Sequence, residues 1–146
     1  MRTSYRDPGA RGFTLLELLV VMVIIGLLAS YVGPRYFEQI GKSEVKATRA
    51  QLDAFDKALS TYRLDCGHLP SSEQGLKSLV ERPADEPHWG GPYLSKQVPL
   101  DPWGHAFVYR MPGDDGHDYE LLSLGRDGHP GGSGSDADLS IWDSGR

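Results

Sequence analysis

At 146 residues and a net charge of −5, the chain has room for one modest domain plus accessories. Its 18 Gly and 10 Pro predict many turns, and the single cysteine, Cys66, excludes an internal disulfide. Residues 1–12 are locally basic, with Arg2, Arg6 and Arg11 against Asp7, whereas nine acids from Asp101 onward face only Arg110, Arg126 and Arg146. Nucleic-acid binding needs a concentrated basic face, so this distribution argues against it and fits a chain whose start stays in the cytoplasm.

The first predicted element is an unbroken apolar run from Phe13 to Val32. Twenty helical residues at about 1.5 Å each span about 30 Å, one hydrocarbon core. The run is too long for a secretory signal, and no small-residue cleavage motif follows Ala29-Ser30. A retained membrane helix over 13–32 is expected, with a cytoplasmic N-terminus and everything after it outside. Past Gly33-Pro34, which predicts a kink or a locally melted turn, the pattern becomes amphipathic. Leu52, Phe55, Leu59 and Tyr62 recur at helical spacing, with Ile40 and Val45 on the approach, so one long helix runs to about Asp65 and ends at Cys66-Gly67.

Residues 66–146 read as a globular head. Ser71 and Gln74 have capping-box spacing, and Leu76, Leu79 and Val80 supply the buried side of a short helix stopped by Pro83. A turn-rich connection follows to Gly104. Residues 106–111 and 118–124 read as two strands of a hairpin joined by PGDDGH, with a third strand over 138–142. The fold class is therefore α+β: a long N-terminal helix packed on a small antiparallel sheet. A head of roughly 80 residues has a thin core and needs the amphipathic half of the helix to complete it.

Glu17 is the anomaly of the apolar run. A carboxylate at a bilayer centre costs on the order of 2.5–3.5 kcal/mol even on lenient scales. On the residues alone, Glu17 either snorkels at the membrane edge or meets a positive partner within an assembly. Arg11-Gly12-Phe13-Thr14-Leu15-Leu16-Glu17 resembles the leader junction of type IV pilins and pseudopilins. The resemblance implies that a prepilin peptidase removes residues 1–12 by cutting between Gly12 and Phe13 and N-methylates Phe13. It also implies that Glu17 meets the new amino group of a neighbouring subunit. An opposite charge would offset the burial cost and set the register between subunits.

YRLDCGHLPSSEQGLKSLV, GPYL, VPLDPWG and SLGRDGHPGGSGSDADLSIW, in that order, are similar to the general secretion pathway protein G family, the major pseudopilins of type II secretion. That implies a helical homo-oligomer in the inner membrane and periplasm. Its partners would be minor pseudopilins, an inner-membrane assembly platform and the prepilin peptidase. Its work would be to help push folded proteins across the outer membrane. The alternative is a type IV pilin of an adhesion, motility or DNA-uptake filament, which commonly closes its C-terminal region with a disulfide that one cysteine cannot form.

Gly125 to Ala137 holds five glycines, Pro130 and two aspartates, with Asp138 next. Such a loop suits Ca²⁺, a hard cation that takes six to eight oxygens in flexible geometry, but it also reads as a solvated acidic loop. The resemblance implies calcium, held by Asp127 and Asp138, less securely by Asp136, with main-chain oxygens of Leu124 and Ser133 or Ser135. The five histidines show no zinc-site spacing on one predicted element, and Asp101-Pro102-Trp103-Gly104 reads as a structural turn. No constellation of residues suggests an enzyme.

Overall fold

A computed structural model describes residues 12–143. The leader arginines Arg2, Arg6 and Arg11 lie outside the described residues. Two units are distinguished, Met1–Gln39 and Ile40–Arg146, and one helix, α1 (Leu15–Cys66), contributes to both.

In the first unit, α1 is apolar from Leu15 to Val32 apart from Glu17, and among the described residues nothing is packed on it. No large apolar side chain from Phe13 to Val32 is less than 47% exposed. The most apolar window has a mean hydropathy of 2.6, long and apolar enough to cross a membrane. The helix continues through Gly33 and Pro34, so the melted turn expected there does not occur. Proline lacks one backbone donor and costs an interior helix about 3 kcal/mol. A single missing bond is tolerated because the turns on either side stay hydrogen-bonded.

In the second unit, the predicted stripe is buried: Leu52, Phe55, Leu59 and Tyr62 are at most 1% exposed. Fully burying each such side chain contributes about 1.5–3 kcal/mol, so the four together are of the same order as a whole domain's net stability. With Ala58, they make up five of the twelve buried apolar residues of the core. The head thus depends on the helix, as its size required. At its end, the Gly67 N–H donates to the Arg63 carbonyl at 2.9 Å, and Gly67 takes φ +84°, open to glycine without strain.

The expected short α-helix is instead a 3₁₀ segment, Gly75–Leu79. The capping box does form, since Ser71 N–H reaches Gln74 Oε1 at 2.9 Å and Gln74 N–H reaches Ser71 Oγ at 3.2 Å. But Gly75 at φ +57° breaks right-handed helix immediately behind it. Leu76 and Leu79 are buried as expected. The connection beyond is pinned by aromatic side chains. Trp89 donates its indole N–H to the Ser78 carbonyl at 2.7 Å, and the Tyr93 hydroxyl donates to Asp65 at 2.9 Å.

The sheet has three antiparallel strands in sequence order: β1 (Val108–Arg110), β2 (Glu120–Ser123) and β3 (Leu139–Ser140). All three are shorter than expected. Tyr109 pairs with Leu121, and Ser123 with Leu139. Central β2 turns Leu121 and Ser123 inward. The third strand gives way to a 3₁₀ turn, Ile141–Asp143, in which Trp142 remains 43% exposed while its indole donates to the Tyr119 carbonyl at 2.9 Å.

Candidate functional site

Two places carry the residues singled out from the sequence. At the N-terminal junction, Gly12, Phe13 and Thr14 precede α1 in non-helical backbone, and Phe13 is 80% exposed. Glu17 occupies the first turn of the helix. Its Oε2 accepts from the Thr14 N–H at 3.4 Å, and its own N–H approaches Thr14 Oγ1 at 3.3 Å. Thr14-x-x-Glu17 is therefore a capping box, with long bonds, that satisfies helix-start donors and sets a negative charge at the positive end of the helix dipole. The T-x-x-E spacing is visible in the sequence. The cap gives Glu17 a role within the single chain.

In the head, the glycine–aspartate loop leaves β2 at Leu124 and returns to β3 through Asp138. Its two limbs are stitched by backbone bonds from Arg126 N–H to the Ser135 carbonyl at 3.0 Å and from Asp138 N–H to the Gly131 carbonyl at 3.1 Å. Gly125, at φ +66°, lies so close that a Cβ would sit 2.7 Å from the Ala137 oxygen and 2.8 Å from the Asp136 oxygen. At Gly132, a Cβ would come within 2.3 Å of the Asp136 oxygen. Glycine at these two positions thus makes room for a cluster of main-chain oxygens. The carboxylate of Asp138 accepts from Gly131 N–H through Oδ2 at 2.9 Å, while its buried Oδ1 has no hydrogen-bond partner. A buried, orphaned carboxylate oxygen in a loop whose glycines make room for main-chain carbonyls suits a hard cation.

Asp127 instead caps its own turn, accepting from His129 N–H at 3.0 Å, and the Ser133 carbonyl accepts from Asp136 N–H at 3.1 Å. Among the described residues, no three His, Cys, Asp or Glu side chains converge as a metal group. A cation in this loop would therefore draw on main-chain oxygens beside its carboxylates.

Sequence reasoning missed the hub under this loop. Asp101 is 5% exposed, and its Oδ1 accepts from the N–H groups of Trp103 at 3.1 Å and His105 at 2.8 Å. Its Oδ2 accepts from the Ser123 hydroxyl at 2.7 Å, and Ser123 Oγ accepts in turn from Gly125 N–H at 3.3 Å. The DPWG turn thus ties the end of β2 to the start of the loop. The other cluster, at the helix end, places His68 Nε2 3.0 Å from the buried carboxylate of Glu86. Burial, and then Glu86, push the Cys66 thiol up, which keeps it protonated and a poor nucleophile.

An apolar helical stem that opens with a capped Thr-x-x-Glu junction and ends in a small antiparallel head defines a pilin-like protein. Prokaryotic N-terminal methylation motif is the family description matched over residues 8–32, and Type II secretion system (T2SS), protein G, is matched over residues 35–142. Type II secretion system core protein G of Pseudomonas aeruginosa is 40% identical over 136 residues, covering 91% of this chain and 95% of that one. The protein of the same name from Vibrio cholerae is 41% identical over 134 residues, covering 90% of each. Among solved structures, the major pseudopilin of the type 2 secretion system of enterohaemorrhagic Escherichia coli is similar with a TM-score of 0.57 and 32% identity, over 69% of this chain and 88% of that one. The chain belongs to the type II secretion system protein G family.

Proposed function

We propose that the chain is the major structural subunit of a type II secretion pseudopilus, anchored in the bacterial inner membrane with its head in the periplasm. A prepilin peptidase cuts between Gly12 and Phe13 and methylates Phe13. The subunits, with minor pseudopilins and on an inner-membrane assembly platform, polymerise through the N-terminal helix. The growing filament helps push folded proteins across the outer membrane. The observation that carries this reading is the uncovered stem: a helix apolar on every side and exposed along its length from Phe13 to Val32.

Magnitudes favour it. The run contains 13 Leu, Ile, Val and Phe residues. At about −0.3 to −0.6 kcal/mol each, they favour insertion by roughly 4–8 kcal/mol, which exceeds the cost of one carboxylate. The chain can therefore wait in lipid with Glu17 only partly satisfied by Thr14. Moving into a filament exchanges lipid for neighbouring helices and gives that charge the amino group of an adjoining Phe13.

On this reading the loop holds calcium through Asp127 and Asp138 and, less securely, Asp136, carboxylates that the ion itself would draw together, with main-chain oxygens of Leu124 and of Ser133 or Ser135. The ion supplies a cross-link in a head that has no disulfide. Mass spectrometry of the mature protein tests the processing: an N-terminus at methylated Phe13 is expected, and any other start refutes it.

A further inference from the structure

We propose that Glu44, on α1, is a positioning residue that prepares the glycine–aspartate loop for calcium by holding Arg126 away from the loop's carboxylates; this rests on the calcium reading above. The loop is strapped to the helix at two successive turns. Gly41 is buried, and a Cβ there would lie 2.7 Å from Ser135 Oγ and 3.7 Å from Arg126 Nη2. One turn on, Glu44 Oε2 accepts from the Trp103 indole N–H at 2.9 Å and stands 3.6 Å from Arg126 Nη2.

The electrostatics give this contact its consequence. Arg126 precedes Asp127 in the chain, and its guanidinium is the one positive group in the loop segment 124–138 apart from any charge on His129. A guanidinium is a strong bidentate partner for a carboxylate, so an untethered Arg126 competes with a divalent cation for Asp127, Asp136 and Asp138. Glu44 removes that competitor by pairing with it on the helix side. Trp103 fixes Glu44 in turn, because the same turn is held by Asp101, which accepts from the Trp103 backbone N–H at 3.1 Å. The His105 ring completes the brace, with Nδ1 3.1 Å from the Gly125 carbonyl and the ring about where a Cβ on Gly128 would strike it, at 3.0 Å. Glu44 does not touch the cation. It acts through Arg126.

Glu44→Gln keeps an oxygen for the Trp103 indole and removes only the charge. In the full chain in detergent micelles, calorimetric titration with calcium chloride should show binding weakened about three- to tenfold, the order of a partly exposed charge-assisted pair. Adding Arg126→Gln should restore affinity to within about twofold of the original, because the competitor is gone. A merely structural role for Glu44 predicts no such rescue. Equal affinity in the original chain and Glu44→Gln overturns this proposal alone, as does a double variant no tighter than the single one. Failure of the original chain to bind calcium at millimolar concentrations overturns the calcium reading and this proposal with it. Glu44→Ala provides a metal-free check: exchange of the Trp103 indole proton, followed by nuclear magnetic resonance in chelator, should accelerate, and an unchanged rate overturns the strap.

Discussion

Asp138 offers a test in which the size of the effect should depend on the metal. Replacing it with alanine removes the bond from Gly131 N–H to Oδ2, at 2.9 Å, a charge-assisted contact of about 1.5–3 kcal/mol. The same change also removes Oδ1, a buried acceptor with no partner, whose desolvation costs about 1–3 kcal/mol. These terms nearly cancel, so in chelator Asp138→Ala should shift stability by no more than about 1 kcal/mol. Calcium breaks the balance. At one hundred times its dissociation constant, a ligand that binds only the folded state adds about 2.7 kcal/mol, and the variant forfeits that gain. For a unit of this size, at about 4–8 °C per kcal/mol, the gap corresponds to roughly 10–20 °C in Tm. Thermal melts followed by circular dichroism, with calcium and with chelator, measure both arms. A melting difference of the same size in the two conditions refutes the reasoning, because Asp138 would then be acting only through Gly131.

Glu17→Gln preserves the capping box, since glutamine serves at that position as well as glutamate, and so isolates the charge. Membrane insertion should persist while cross-linked filaments and exoprotein secretion fall at least about tenfold; native filament yield would rule out the inter-subunit pairing. Asp101→Ala should cost about 3–5 kcal/mol, because two backbone N–H groups and the Ser123 hydroxyl lose their acceptor together, and urea unfolding gives the value. Asp101→Asn, which keeps an oxygen for both N–H groups, should cost clearly less, and equal losses would exclude the hub account. Finally, burial pushes Tyr93 and Tyr109 up to about 12 and raises Tyr62 and Tyr119 further. The fold thus favours the protonated phenol: its contribution is intact below about pH 10, the unfolded value, and is lost as pH rises through the folded values. Loss of near-ultraviolet circular dichroism should therefore coincide with ionisation of these four tyrosines above pH 10, and their ionisation at the free value with the tertiary signal intact would contradict it.

What the sequence makes legible follows from how far apart the partners lie. Leu52, Phe55, Leu59 and Tyr62 announce a buried face because one helix repeats every 3.6 residues, and Gly67 announces its end because few other residues accept φ +84°. The Ser71–Gln74 box was equally local and formed as read, although the element behind it changed from α to 3₁₀ at Gly75. The turn at Asp101 was legible, but its link to Ser123 and the contact of Glu44 with Arg126 were not, for the opposite reason. Their members are separated by 22 and 82 positions, and no period or composition marks them. At Pro34 the local rule was sound, but one missing donor does not melt a helix whose turns on both sides stay hydrogen-bonded.

The same helix meets two different demands, and the point where they change limits any rearrangement on assembly. From Leu52 to Tyr62, α1 cannot unwind without exposing side chains that contribute about 1.5–3 kcal/mol each, a loss that would soon equal the head's whole stability. From Leu15 to Val32, it cannot unwind in lipid, where every exposed backbone group costs several kcal/mol. Between these lies a stretch from Gly33 to about Gln39 with neither constraint: Pro34 already lacks a hydrogen bond, and no residue there is buried. If polymerisation stretches the stem, melting should begin in those residues and stop before Gly41, whose contact with Ser135 anchors the loop. Amide exchange compared between subunit and filament would locate it, and new exchange within residues 52–62 would mean that the head's core does not hold the helix as its burial requires.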